Sequence, residues 1–245
     1  MQYKADLHIH TLLSPCGSLE MSPVNIIKAA LDAKLDIIGI TDHNSTKQAP
    51  LIKKMAKEQG LFVLCGAEIN SVEEVHCLTF FENNDQLEEF QLFIDQHLLP
   101  FPNNVDLFGE QIVVDENEMI VEEVEYLLIN ALDAGLIEIE QKVHQLGGIV
   151  IPAHIDRPYN GIFSQLGFVP EMFKADAFEL SGNAKVELWR NGNKLPARIT
   201  FIRSSDAHIP AQIGSTVTFF EMEKIDFEEI KMAIMNKNGR KTIIN

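Results

Sequence analysis

Short apolar runs that each stop at a polar residue constrain this chain more than any other feature. Asp36 to Thr41 (DIIGIT) is almost continuously apolar and empties into Asp42-His43-Asn44, and Leu61 to Cys65 (LFVLC) leads to Glu68. Ile149 to Ile151 ends at Pro152-Ala153-His154, Ala177 to Leu180 follows, and Ile199 to Ile202 opens into Ser204-Ser205-Asp206-Ala207-His208. Runs of this length without alternation read as strands covered on both faces, and such strands need helices between them. The pattern supplies them. Ser22-Pro23 gives an N-cap and first turn for Val24, Ile27 and Leu31, and Leu51, Ile52, Met55 and Ala56 run on to Gly60. Leu87, Phe90, Phe93 and Ile94, then Ile139, Val143 and Leu146, then Phe227, Ile230 and Ile234 mark three more helices. The fold class is therefore α/β, and 245 residues suit one barrel-sized domain spanning 1–245.

The first strand adds chemistry. In Asp6-Leu7-His8-Ile9-His10-Thr11 strict alternation puts Asp6, His8 and His10 on one face and Leu7 and Ile9 on the other. Taken alone, such a pair is more often two solvated or hydrogen-bonded histidines than half a metal site. The other histidines shift the balance: His8, His10, His43, His76, His154 and His208 all fall within or just beyond predicted strands, as do Glu68 and Asp206. In a parallel barrel those strand ends meet at one mouth. Imidazoles with a few carboxylates suit Zn, Mn or Fe better than Mg or Ca. His97 and His144, on predicted helices, read as structural, and Cys65 and Cys77 as core residues.

Charge narrows the substrate class expected. With 36 acidic against 20 basic residues the net charge is -16, which opposes the phosphate contacts that drive binding to long nucleic acids. A small phosphorylated substrate drawn by a local field is expected instead. Residues 99–128 carry Asp106, Glu110, Asp115, Glu116, Glu118, Glu122, Glu123 and Glu125 and no Lys or Arg. Two extended pieces there, Gln111 to Val114 and Met119 to Val121, flank Asp115-Glu116-Asn117 and predict an inserted hairpin, either an acidic flap or a solvated loop. No apolar run reaches the length of a membrane span and no secretory leader is visible, so a cytoplasmic protein without a membrane partner is expected. Three cysteines, Cys16, Cys65 and Cys77, lack a framework spacing, which fits a reducing compartment.

In the order DLHIHT, ITDHN, Glu68, His76, PAHIDRP and SSDAH, the chain resembles the PHP superfamily, named for polymerase and histidinol phosphatase. The resemblance implies a distorted (β/α)7 barrel, into which the acidic hairpin read above would be inserted, holding two or three divalent metal ions (Zn, Mn or Fe) that hydrolyse phosphoesters. Carried over by position, one metal takes His8, His10, Glu68 and Asp206, a second His43 and His208, and a third His76 and His154 with Glu68 bridging. Many relatives place Asp or His where this chain has Cys16; its thiolate would complete the second site, or Cys16 is simply a small buried residue. The implied mechanism has a hydroxide held between metals attack phosphorus, with Asp206 or His208 protonating the leaving group and Arg157 clamping a phosphate oxygen. Asp6 and Asp42 are expected either to orient imidazoles or to cap turns, and Arg203 is a weaker candidate for the phosphate. The activity so implied is hydrolysis of a small phosphomonoester or short nucleotide phosphoester. Histidinol-phosphate hydrolysis is the runner-up, and a metal-holding domain with a structural or regulatory role, as in replicative polymerases, is the alternative from another class. No polymerase segment is visible, so a free-standing enzyme is expected.

Overall fold

The computed structural model describes residues 1–182, 184–193, 195 and 199–244. Strands β1 (Gln2–Ile9), β2 (Ile37–Ile40) and β3 (Phe62–Asn70) lie parallel and adjacent, with Ala5 opposite Ile37 and Ile37 opposite Phe62. Every residue of β2 is buried, as expected for a strand with side chains packed on both faces. The crossovers are α1 (Pro23–Asp32) and α2 (Ala49–Lys57). Ser22 caps α1 through its Oγ, which accepts the Asn25 N–H at 3.5 Å. The buried stripe of α1 is Pro23, Ile26, Ile27 and Ala30, whereas Val24 and Leu31 face solvent. Two helical stripes pass through Ile27, and the strands beneath select the one containing Ile26 and Ala30.

β1 breaks its own alternation. Its register with β2 shifts between Asp6 and Ile9, and the two flanking leucine and isoleucine side chains end in different layers. Ala5 and Leu7 pack in the inner cluster with Leu64, Leu78 and Ile151, while Ile9 joins Ile38 and Ile40 in the outer one, beneath the helices. β2 presses closely here: a Cβ on Gly39 would lie 2.4 Å from the Leu7 carbonyl oxygen, so only glycine fits.

β4 (His76–Phe81) runs antiparallel to β3. α3 (Asn84–His97) follows, opened by a reciprocal capping box of Asn83 and Gln86. Next come α4 (Val105–Phe108) and the antiparallel pair β5 (Ile112–Val114) and β6 (Ile120–Glu123). The buried face of β5 packs on Leu12 and Leu13, and β6 is exposed throughout. α5 (Leu136–Gln145) then leads to β7 (Ile149–Pro152), which pairs antiparallel with β4.

α6 (Ile162–Leu166), β8 (Phe178–Glu179), α7 (Val186–Gly192) and β9 (Phe201–Ile202) complete the ring, with β8 and β9 parallel. The Asp176 N–H donates to the Val150 carbonyl and the Ile155 N–H to the Glu179 carbonyl, both at 3.0 Å, tying β8 to β7. After β9 the chain returns to β1, where the His10 N–H donates to the Ala207 carbonyl at 3.0 Å. The result is a distorted barrel. β10 (Thr218–Glu221) adds to the free side of β1, α8 (Phe227–Ile234) packs its buried face into the inner cluster, and β11 (Lys241–Ile243) pairs with β10. The all-parallel expectation fails at β4, which runs against both of its neighbours. Among the described residues no helix is long and apolar enough to cross a membrane.

Candidate metal centre

Glu68, near the end of β3, is the hub of the barrel mouth. Its Oε1 lies 3.3 Å from His8 Nε2, 3.0 Å from His76 Nδ1 and 3.1 Å from His154 Nε2. Its Oε2 lies 3.3 Å from His10 Nε2 and 3.1 Å from His43 Nδ1. One carboxylate therefore touches five imidazoles. Asp206 Oδ1 stands 3.2 Å from the Nε2 atoms of both His8 and His10, and His208 Nε2 is 3.0 Å from Cys16 Sγ. The His208 ring stacks on His10 with centroids 4.4 Å apart, which joins the two halves of the cluster.

All nine residues expected at the centre from the sequence are thus gathered at one mouth. The antiparallel β4 contributes His76 from its first residue, because its start lies where the other strands end. The register shift in β1 carries His8 and His10 inward together and leaves Asp6 out. Instead of meeting an imidazole, Asp6 accepts the Ser205 and Gly214 N–H groups at 2.9 and 2.8 Å, so it shapes the loop that carries Asp206. Burial raises its pKa to about 6 despite these bonds. Asp42 acts at one remove: it accepts the Ser14 hydroxyl at 2.7 Å, and Ser14 Oγ is 3.0 Å from His10 Nδ1. Arg203 is directed elsewhere, donating to the Gly182 and Ala184 carbonyls. His97 bonds the Phe93 carbonyl, and His144 sits between Glu140 and Asp176.

Sequence reasoning missed Glu179 and Ser14. Glu179 Oε2 is 3.0 Å from His8 Nδ1 and accepts the His154 N–H at 3.0 Å. A carboxylate buried in the short apolar run Ala177 to Leu180 was the available signal. It fixes the His8 proton on Nδ1 and turns the Nε2 lone pair to the centre, as a carboxylate behind a metal-binding histidine does. Glu179→Gln is expected to weaken metal affinity about 10- to 100-fold with little change in the fold, as measured by titration of the metal-free protein.

The electrostatics favour a cation. Burial alone would raise the Glu68 pKa, but His76, His8 and His43 hold it well below the usual carboxylate range. Asp206 is likewise depressed against its burial by His8 and His10. Against burial, Asp206 and Glu68 raise His10 to about 9, while burial and the charge on His10 push His208 down to about 4. Burial and the carboxylates of Glu68 and Asp206 push the Cys16 thiol up, so it stays protonated unless a cation displaces the proton. His43 Nδ1, Glu68 Oε2, His76 Nε2, His154 Nδ1 and Asp206 Oδ1 are buried without a properly directed hydrogen bond. Unsatisfied buried groups cost about 1–3 kcal/mol each, and divalent ions among them would remove that cost. His154 and Asp206 also hold positive φ angles of 29° and 53°, backbone strain of the kind concentrated at functional sites. Three sets of side chains can each converge on an ion: His8, His10 and Glu68; His43, Glu68 and His76; and His10, Cys16, His43 and His208.

Fold and site define the class: an α/β barrel domain whose mouth gathers a histidine and carboxylate cluster able to hold divalent ions. More particularly, the chain belongs to the PHP domain family, which it matches over residues 6–175, with a PHP-associated segment at 197–238. The uncharacterised protein YqxK of Bacillus subtilis is 24% identical over 272 residues, which cover 98% of this chain and 64% of YqxK. Lesion-specific endonuclease Q from Pyrococcus furiosus superposes with a TM-score of 0.75 at 22% identity, covering 99% of this chain and 58% of its own. A metal-dependent phosphoesterase from Bifidobacterium adolescentis superposes at 0.59 with 21% identity, over 83% and 87% of the two chains. The chain thus spans roughly three fifths of YqxK and of the endonuclease.

One expectation is overturned. Endonuclease Q has been solved with a 27-mer duplex carrying an abasic lesion at its active site, and that structure covers 98% of this chain with a TM-score of 0.71. Net charge therefore does not exclude long nucleic acid from this fold or confine it to small phosphorylated substrates. A whole-chain sum says little about the potential at one mouth, and half of the excess negative charge lies in residues 99–128.

Proposed function

We propose that this protein hydrolyses phosphodiester bonds in nucleic acid at the Glu68 centre, with two or three divalent ions held by His8, His10, Cys16, His43, Glu68, His76, His154, Asp206 and His208. The hydrolytic part rests on a single observation: one buried carboxylate faces five imidazoles, with neighbouring polar atoms left without hydrogen bonds. The nucleic-acid part is supported by the likeness to endonuclease Q along nearly the whole chain. Ions bound at such a site supply an activated water and neutralise charge on the phosphoryl oxygens.

The chain's own groups have separate tasks. Glu179 and Ser14 hold the Nδ1 protons of His8 and His10, so that when an ion displaces the second proton both Nε2 lone pairs face inward. Arg157 bonds Asp206 through Nη1 and is 43% exposed on its side chain, which leaves guanidinium donors free for a non-bridging phosphate oxygen. Asp206 remains ionised between its histidines, which makes it a ligand rather than the proton donor. His208 Nδ1 donates to the Asp206 carbonyl at 2.9 Å, so its free lone pair faces Cys16 and the ion site.

Cys16→Ser is expected to lower the metal bound per chain by about one ion, or to shift selectivity from Zn or Fe toward Mn, since thiolate favours the softer ions. Elemental analysis reads this directly, and an unchanged content and preference would remove Cys16 from the ligand set. The function itself is tested by resupplying metal-depleted protein singly with Zn, Mn or Fe(II). It is then offered an abasic duplex, an intact duplex, a bis-aryl phosphodiester and an aryl phosphomonoester. Metal-dependent strand cleavage is expected. Turnover of the monoester alone, or none with metal retained, would overturn the reading.

A further inference from the structure

Scattered exposed apolar side chains are ordinary, but Tyr159 is exposed in an unusual place. It is 75% accessible and makes no ring contact with any described residue. It stands two residues after Arg157, whose guanidinium bonds Asp206, and one before Asn160, whose carbonyl accepts the His76 N–H at 2.9 Å. Both neighbours thus contact residues of the metal centre, and two peptide units put the Tyr159 Cα at most about 7.6 Å from that of Arg157.

The loop that carries it is fastened on both sides. Asp156 accepts the Ser181 N–H at 2.8 Å, and the Arg157 N–H donates to the His154 carbonyl at 2.9 Å. Asn160 Nδ2 donates to the Glu74 carbonyl at 3.2 Å, and Asn160 itself holds a left-handed φ of 55°. A loop fastened in this way has already lost backbone freedom that binding would otherwise cost, and it leaves the ring available to a ligand.

We infer that Tyr159 is the stacking platform for a base next to the scissile phosphate, with Arg157 on the phosphate itself. The inference rests on the nucleic-acid reading above and adds how the strand is placed. Stacking of this kind tolerates any base, because every base has a π-face, so it positions the strand without reading its sequence. A substrate with no aromatic group next to its phosphate would gain nothing from it.

The test uses the metal-loaded protein and phosphorothioate oligonucleotides with 2-aminopurine beside the target linkage, as a single strand and as an abasic duplex. Tyr159→Ala is expected to weaken binding by anisotropy roughly 5- to 150-fold, the usual worth of one stacked base. Tyr159→Phe and Tyr159→Trp should retain affinity. The wild type should quench the 2-aminopurine emission and Tyr159→Ala should not, while metal content stays equal in all four proteins. Wild-type binding with no loss of affinity or quenching in Tyr159→Ala would overturn the stacking role alone. Absence of binding to either oligonucleotide by the wild type would overturn the nucleic-acid reading, and the stacking role with it.

Discussion

Glu68→Gln is expected to lower kcat by about three orders of magnitude and to release much of the bound metal, because it removes the one anion shared by five imidazoles. An effect of that size corresponds to about 4 kcal/mol of lost transition-state stabilisation, within the several kcal/mol that metal ions supply to phosphoryl chemistry. Glutamine keeps the shape of the side chain, so the barrel should still fold. Without the carboxylate, protonation of the surrounding histidines loses its compensating charge. Elemental analysis and single-turnover rates read the two effects separately. Retention of both full metal content and more than about a tenth of the rate would show that the centre is not organised around Glu68.

Chelation is expected to lower the melting temperature by about 5–11 °C relative to protein with metal at a hundred times its Kd. Binding at that ratio contributes about 2.7 kcal/mol, and a domain of this size shifts by about 2–4 °C for each kcal/mol. The sign follows from the cluster itself, whose unsatisfied buried nitrogens and oxygens are relieved only when a cation is present. Metal binding requires neutral imidazoles and so competes with protons. The stabilisation should therefore grow from pH 5.5 to 7.5 and go on rising toward about pH 9, where the proton that an ion must displace from His10 is lost. Melting curves with and without chelator at pH 5.5 and 7.5 measure it. An equal temperature at both pH values, with and without chelator, would mean that the cluster holds no ion.

Much of this was legible before the structure. Apolar runs such as DIIGIT and LFVLC show no alternation because strands packed on both faces have no polar side, and five helices could be read from periodicity between and after them. Eight of the nine residues gathered at the mouth were legible for a related reason, Cys16 being suggested only by the family resemblance. Polar side chains that follow buried strands have only the barrel rim to occupy, and their types matched one chemistry. The small elements α6, α7, β10 and β11 leave no legible mark in the sequence, since a few residues carry too little pattern to be told from loops.

The sequence by itself determined the layers of the fold and the set of side chains at its mouth, because burial and residue type are properties each segment carries locally. Only the tertiary structure decided their directions. The register shift in β1 sends His8 and His10 inward and Asp6 aside, the reversal of β4 presents His76 from its first residue, and Glu179 reaches His8 from 171 positions away. A one-residue slip inverts every later side chain in a strand, and strand direction and long-range contacts are settled by neighbours that no local pattern contains.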